Sequence, residues 1–258
     1  AHVGSLIKQL TSNNDDSSPV LTSDGKILFF TRVDNSGPSI WSLDMESGAL
    51  TSCARGYSPE PIPGENDKFL CVRNSPAGNS EIWLVDYMKG QETMIASDIE
   101  RSYSNPALSP DGQWILCQGN AKSNISKKMN LDIFAVRVDG TQTIQLTYHP
   151  ASDCCPVWSN DGKYIYYTSA EVSPVENHLF RIEIKSLKKG VVKASFGKPQ
   201  RLTFEEGWHD VQLSPDCKHF IDSYSSLSVP RVINLCKTDG KKVSNLLTAE
   251  DPTLDYAY

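Results

Sequence analysis

The residues best suited to chemistry are two histidines, each followed closely by an aspartate. His149 and Asp153 lie in TYHPASD, and His209 and Asp210 lie in EGWHD. Imidazole and carboxylate groups can ligate a metal ion or act as general acid and base. These segments are far apart in the chain, so such a site requires a fold that brings them together. The alternative is that they cap turns and face water.

Aromatic residues lie near the same segments, at Tyr57, Tyr103 and Trp208. Tyr and Trp offer large, stiff contact surfaces, and they are enriched among residues that dominate binding energy. They are therefore candidates for anchoring a peptide, together with His149, Asp153, His209 and Asp210. Packing inside the protein is the alternative explanation for the three aromatic residues.

Motifs for other chemistries do not occur in the chain. There is no glycine-rich phosphate loop, no H-E-x-x-H zinc motif and no G-x-S-x-G nucleophile elbow. The seven cysteines include no C-x-x-C pair. The sequence therefore predicts no catalytic residue, metal ligand set or cofactor, and it favours a chain without an active site of its own.

Charge and hydropathy narrow the class of partner. The formal net charge is −6, which argues against nucleic acid, since a phosphate backbone needs clustered Lys and Arg. No stretch approaches the roughly 18–20 apolar residues of a membrane span. A peptide or protein ligand is the remaining expectation.

The elements that would position these residues form a repeat. Asp-Gly turns, or close variants, recur at Asp24, Asp67, Asp111, Asp161 and Asp216. Successive turns are 43, 44, 50 and 55 residues apart. A period of about this length is typical of four-stranded β-propeller blades. Each turn precedes an apolar run rich in aromatic and β-branched residues, such as ILFF or YIYY. A strand such as SIWSLD or DIFAVR follows, then a glycine-bearing turn, and later copies close with QLT, RLT or LLT.

The predicted fold is all-β: one β-propeller domain over residues 1–258 with about five to six four-stranded blades. The blades cover approximately 17–53, 54–97, 98–147, 148–203 and 204–248. Residues 1–12 and 249–258 are expected to form parts of a blade that closes the ring, or else the chain is a fragment of a longer propeller. In such a ring, the connections between blades surround one mouth of the central channel, which would bring the candidate residues together. Large residues of the runs would be buried between blades, so Trp158→Ala or Tyr166→Ala should cost roughly 3–5 kcal/mol.

The pattern P-x-W-S-x-D-G-K-x-I-x-Y-x-S of residues 156–169, with the QLT ending, resembles the TolB-like propeller repeat. The last copy, residues 207–247, resembles the final propeller blade of dipeptidyl-peptidase-type members of the prolyl oligopeptidase family, and FIDSYSSLSVP carries most of that likeness. In that family a hydrolase domain follows the propeller and supplies the catalytic serine. These resemblances imply an exported protein, periplasmic or extracellular.

Three functions follow as hypotheses. The first is a non-catalytic propeller that binds a peptide or protein at the channel mouth. The second is the detached propeller of a dipeptidyl-peptidase-like enzyme, which would gate the access of peptides to a hydrolase domain. The third is a metal-dependent lyase or hydrolase that uses His149, His209 and neighbouring aspartates.

Overall fold

The computed structural model describes residues 9–13, 15–122, 129–187 and 195–250, and all the regular structure in them is β. The first sheet consists of β1 (Asp16–Leu21), β2 (Ile27–Asp34), β3 (Gly37–Asp44) and β4 (Leu50–Arg55). The second consists of β5 (Tyr57–Ile62), β6 (Glu65–Asn74), β7 (Ser80–Asp86) and β8 (Gln91–Ala96). The third consists of β9 (Tyr103–Leu108), β10 (Trp114–Lys122), β11 (Met129–Arg137) and β12 (Thr143–Gln145).

The fourth sheet consists of β13 (Asp153–Trp158), β14 (Tyr164–Ser169), β15 (His178–Ser186), β16 (Ser195–Phe196) and β17 (Gln200–Arg201), and its last two strands both pair with β15. The fifth consists of β18 (Trp208–Leu213), β19 (His219–Ser225), β20 (Val232–Lys237) and β21 (Lys242–Thr248). Each sheet is an antiparallel meander, and we call the sheets blades 1 to 5 in chain order. The predicted all-β propeller of repeated blades is confirmed.

The predicted Asp turns join the first two strands of blades 1, 3, 4 and 5. In blade 2 the turn lies at Pro63 and Gly64 instead, and Asp67 lies within β6. In blade 4 the Ser159 hydroxyl donates to Asp161 Oδ1 at 2.7 Å, and Gly162 adopts a φ of 68°. In blade 5 the equivalent position is Cys217, which adopts a φ of 52° despite its side chain. A left-handed conformation without glycine is strained, so the surrounding hairpin must hold Cys217 in place.

Neighbouring blades pack face to face through separate apolar clusters. Phe29 of blade 1 meets Phe69 of blade 2 with ring centroids 5.0 Å apart. Blades 2 and 3 share a second cluster around Phe134, blades 3 and 4 a third around Trp158, and blades 4 and 5 a fourth around Phe220. Because the apolar faces of a blade are buried only by packing against the neighbouring blades, the blades depend on one another for stability.

The junction between blades 5 and 1 differs from these four. Leu28, Phe30 and Leu43 form a cluster that contains residues of blade 1 alone. Pro19 of β1 is exposed, whereas its equivalents in blades 2, 3 and 4 are buried. No hydrogen bond between the described residues joins blades 1 and 5. Of the predicted closing segments 1–12 and 249–258, the described residues 9–12 and 249–250 belong to no sheet, and residues 1–8 and 251–258 lie outside the described residues.

Candidate functional site

The innermost strands of blades 1 to 4 share an unusual backbone feature. The residue before the proline that recurs in each of these strands has a positive φ of 49–54° without being glycine, at Ser18, Ser58, Asn105 and Cys155. The strand pairing shifts by one residue at each of these points, which is a β-bulge. In β18 the proline is replaced by Val211, and the pairing runs without a shift.

The bulged residues line a cavity of about 390 Å³ that four blades enclose. Side chains of the preceding blade hold two of the bulges in place. The Ser58 amide donates to Thr31 Oγ1 at 3.1 Å, and the Cys155 amide donates to Gln118 Oε1 at 3.0 Å. The wall of this central channel is therefore preorganised by hydrogen bonds between blades.

The chemistry of the channel wall is polar but not nucleophilic. Burial raises the pKa of Glu60, which lines the cavity, to about 7. Burial also raises the pKa of the Cys155 thiol, and the nearby Asp210 raises it further. A thiol with a raised pKa is a poor nucleophile, because the thiolate is the reactive form. The channel can therefore offer hydrogen bonds and, above neutral pH, a negative charge.

The shifted pKa of Glu60 predicts a pH dependence of stability. At pH values between the ordinary pKa of a glutamate and about 7, Glu60 keeps its proton in the folded state and has lost it in the unfolded state. Raising the pH through this window therefore favours unfolding. From pH 5 to pH 8, the free energy of unfolding of wild type should fall by roughly 1–3 kcal/mol more than that of Glu60→Gln, measured by urea unfolding at both pH values.

The comparison with wild type isolates Glu60, because Asp132, Asp153 and His178 titrate in both proteins. Glu46→Gln is the matched control, since it removes an exposed carboxylate of blade 1. Equal changes in stability with pH for wild type and Glu60→Gln would contradict the assignment.

The structure divides the seven predicted site residues into two groups. Trp208 is 55% exposed, and Asp210 and His149 are exposed as well. Asp210 interacts electrostatically with Cys155, which places it beside the channel. Tyr57 is half-buried, and its hydroxyl lies 3.2 Å from Asn74 Oδ1. These four residues are accessible to a ligand.

The other three are buried between blades. Tyr103 packs edge-on against Phe134, with ring centroids 5.9 Å apart. His209 is fully buried, its Nδ1 lies 2.7 Å from Asp222 Oδ1, and its Nε2 lies 2.8 Å from the Glu205 carbonyl. Both ring nitrogens are thus occupied, so His209 does not join His149 in a ligand set. Asp153 is also buried and lines a different cavity.

The partners of His209 were not anticipated from the sequence. His178, at the start of β15, is fully buried with its ring centroid 4.8 Å from that of His209. Asn177 binds the same strand, since its Nδ2 donates to the His209 carbonyl at 2.8 Å and its carbonyl accepts from the His209 amide at 3.0 Å. These contacts join blade 4 to blade 5 and leave His209 a structural role.

The channel-wall residues were also missed, although a signal was present. The segments SSPV, YSPE, SNPA and CCPV all place a small or polar residue before a proline.

Among the described residues, no group of three His, Cys, Asp or Glu side chains could hold a metal ion. No helix within the described ranges is long and apolar enough to cross a membrane.

Comparisons with solved structures decide the architecture. TolB from Acinetobacter baumannii superposes with a TM-score of 0.65 at 18% identity over 90% of this chain. The fold is a TolB-like β-propeller. A protein assigned as TolB in Agrobacterium tumefaciens gives a TM-score of 0.67 at 16% identity over the same share of the chain. The propeller covers 54% of the first protein and 80% of the second.

A second line of similarity leads to peptidases. The family model described as the dipeptidyl peptidase IV N-terminal region matches residues 133–231 of the propeller, a span that includes FIDSYSSLSVP. Dipeptidyl peptidase 4 from Porphyromonas gingivalis gives a TM-score of 0.58 at 15% identity. The alignment covers 89% of this chain and 37% of the peptidase. The resemblance to TolB-like propellers, expected from the repeat pattern, and the resemblance to dipeptidyl-peptidase propellers, expected from residues 207–247, are both confirmed.

Proposed function

We propose that this propeller is a non-catalytic binding module that holds a peptide segment of a partner protein at the mouth of its channel. The observation that carries the proposal is Trp208, which exposes more than half of its side chain at the start of the inner strand β18. A large aromatic residue that the described residues leave 55% exposed supplies contact area at little entropic cost. Asp210, two residues later, lies beside the channel wall.

The charge of the site favours a particular class of peptide. Asp210 at the mouth and Glu60 within the channel are both acidic, and the whole chain has a net charge of −6. Complementary charge increases the rate of association and excludes like-charged partners. The proposed ligand is therefore a peptide with basic or uncharged polar side chains, in an exported setting, periplasmic or extracellular.

The test is to select binders from a random heptapeptide phage library and to titrate the synthetic peptides calorimetrically. We expect Trp208→Ala to weaken the Kd of selected peptides by about tenfold or more, as for truncation of an aromatic anchor. Thermal unfolding of the variant should be nearly unchanged because the side chain is largely exposed.

Phe204→Ala is the matched control, since Phe204 is 63% exposed in the connection that leads to the same strand. Peptides that bind wild type and Trp208→Ala equally would exclude this mouth. A library that yields no binder at all would contradict peptide recognition itself.

A second candidate function is the propeller of a larger peptidase, where it would gate the access of peptides to a hydrolase domain. The match to the dipeptidyl peptidase IV N-terminal region supports this candidate, together with the small share of the peptidase chain that the propeller covers. Sequencing the gene on both sides of the coding segment tests it. A continuous reading frame with a G-x-S-x-G segment supports the candidate, and a stop codon after Tyr258 contradicts it.

The metal-dependent lyase hypothesis has no support in the geometry. Both ring nitrogens of His209 are engaged by Asp222 and the Glu205 carbonyl. His149 lies in the connection between blades 3 and 4, where its Nδ1 accepts from the Ala151 amide at 3.2 Å.

A further inference from the structure

A second cavity, separate from the channel, lies where blade 3 leads into blade 4. Its volume is about 390 Å³, within the range of small-molecule sites. Most of its wall is apolar or aromatic, from Leu146, Tyr148, Tyr167, Ile182 and Phe196. The remaining lining includes His149, Asp153 and Glu171.

Asp153 is the distinctive group of this cavity. Its side chain is 99% buried, since only 1% of the residue is exposed, and its Oδ1 has no hydrogen-bond partner among the described residues. An unsatisfied acceptor in an apolar setting costs about 1–3 kcal/mol, and more if the group is charged. A ligand that donates a hydrogen bond to Asp153 would remove this cost.

The surroundings of Asp153 carry negative rather than positive charge. Burial raises the pKa of Asp153 to about 7; hydrogen bonds from Ser169 and Thr147 lower it, and the charges of Asp132 on β11 and Glu171 after β14 raise it. Asp132 itself has a pKa of about 6, raised by burial, and Gln145 Nε2 donates to its Oδ2 at 2.8 Å. Among the described residues, no Lys or Arg pairs with any of the three carboxyl groups. The site therefore combines aromatic walls with acceptors that have no Lys or Arg partner among the described residues, and the nearby cationic group is His149, which lowers the pKa of Asp132.

We propose that this cavity binds a small organic ammonium ion, with the charged nitrogen at Asp153 and an apolar group against Tyr167, Ile182 and Phe196. Carboxylates and aromatic faces both stabilise a cation of this kind. A metal ion fits less well, because no three His, Cys, Asp or Glu side chains of the described residues are placed to hold one together and the lining is mostly apolar. This site is distinct from the channel mouth, so it does not depend on peptide binding there.

Binding should strengthen with pH, because the ammonium ion requires an ionised carboxylate. The titrating groups that face Asp153 are Asp132, Glu171 and Tyr167, with His149 on the cavity wall. Asp132 and Asp153 both ionise on the way from pH 5.5 to pH 8, whereas a primary alkylamine stays protonated throughout this range.

The experiment measures the binding of benzylammonium to the full chain by calorimetry, with benzyl alcohol as the uncharged probe of nearly the same shape. We expect wild type to bind benzylammonium about tenfold more tightly at pH 8 than at pH 5.5, and to bind benzyl alcohol weakly at both. Asp153→Asn should weaken benzylammonium binding by about tenfold to a hundredfold at pH 8, as for loss of a charge-assisted hydrogen bond.

Glu46→Gln removes an exposed carboxylate on blade 1 and should leave the affinity unchanged. The pH comparison uses wild type alone, so it tests the proposal even if Asp153→Asn folds poorly. Equal affinities for the two probes, or unchanged binding in folded Asp153→Asn, would overturn the proposal. The Trp208→Ala protein should bind benzylammonium normally, which separates this result from the outcome at the channel mouth.

Discussion

Replacing His209 with alanine should lower the free energy of unfolding by about 3–5 kcal/mol, the range measured when one member of a buried polar pair is removed. His209 is fully buried, and Asp222, whose Oδ1 lies 2.7 Å from its Nδ1, is 2% exposed. The substitution leaves the Asp222 carboxyl buried without its partner. It also removes the ring that packs between those of His178 and Tyr224. The measurement is urea unfolding at pH 7.5.

His219→Ala is the matched control for this prediction, because His219 lies on the same blade and is only partly buried. Its loss should cost less than about 1 kcal/mol, as is usual away from a buried network. In the His209→Ala background, Asp222→Asn should recover part of the lost stability, since it removes the buried carboxylate. A loss of less than 1 kcal/mol in His209→Ala would show that the buried His209–Asp222 pair of blade 5 contributes little to the stability of the fold.

A comparable loss, about 3–5 kcal/mol, is expected for Trp158→Ala. Trp158 is 6% exposed and packs in the cluster that joins blades 3 and 4, with Leu116 and Ile133 on the facing blade. Its Nε1 also donates to the Ala107 carbonyl at 3.0 Å. Truncation therefore leaves a cavity and removes the hydrogen bond to the Ala107 carbonyl at the same junction.

Two further variants make this prediction specific. Trp158→Phe keeps most of the apolar contact and should lose less than Trp158→Ala. Val157→Ala changes the preceding residue, which is 38% exposed and lines the channel, and it should cost under about 1 kcal/mol. Similar losses for Trp158→Ala and Val157→Ala would mean that burial between blades is not what stabilises this strand.

Both substitutions act at junctions between blades, where the structure concentrates its stabilising contacts. The junction of blades 3 and 4 is apolar, whereas that of blades 4 and 5 adds the polar contacts of Asn177, His178 and His209. Because each blade relies on its neighbours, the loss of contacts at either junction should lower the stability of the whole propeller, which should still unfold in a single transition.

The repeat pattern alone was enough to predict the blades, their apolar runs and all of their first turns except that of blade 2. Those features depend on local chemistry: Ser159 and Asp161 form the predicted turn because their side chains reach backbone groups only a few residues away. The alternation of apolar residues places Ile165 and Tyr167 on one face of β14, where they join the core between blades 3 and 4. Trp158 could likewise be assigned to the core before the fold was seen.

Which residues between the blades are accessible to a ligand depends on the strand pairing in the folded chain. In the sequence, Trp208 and Asp153 are equivalent, because each lies eight residues before the Asp of its turn. In the structure, His209 takes the place of Asp153 instead. Asp153 pairs with Ser169 and His209 pairs with Tyr224, two residues that occupy equivalent positions on β14 and β19. The difference is the single extra residue of the bulge at Cys155, which β18 lacks. A shift of one residue turns every following side chain of a strand to the opposite face. That shift buries Asp153 and His209 and leaves Trp208 exposed, and the sequence alone could not place it.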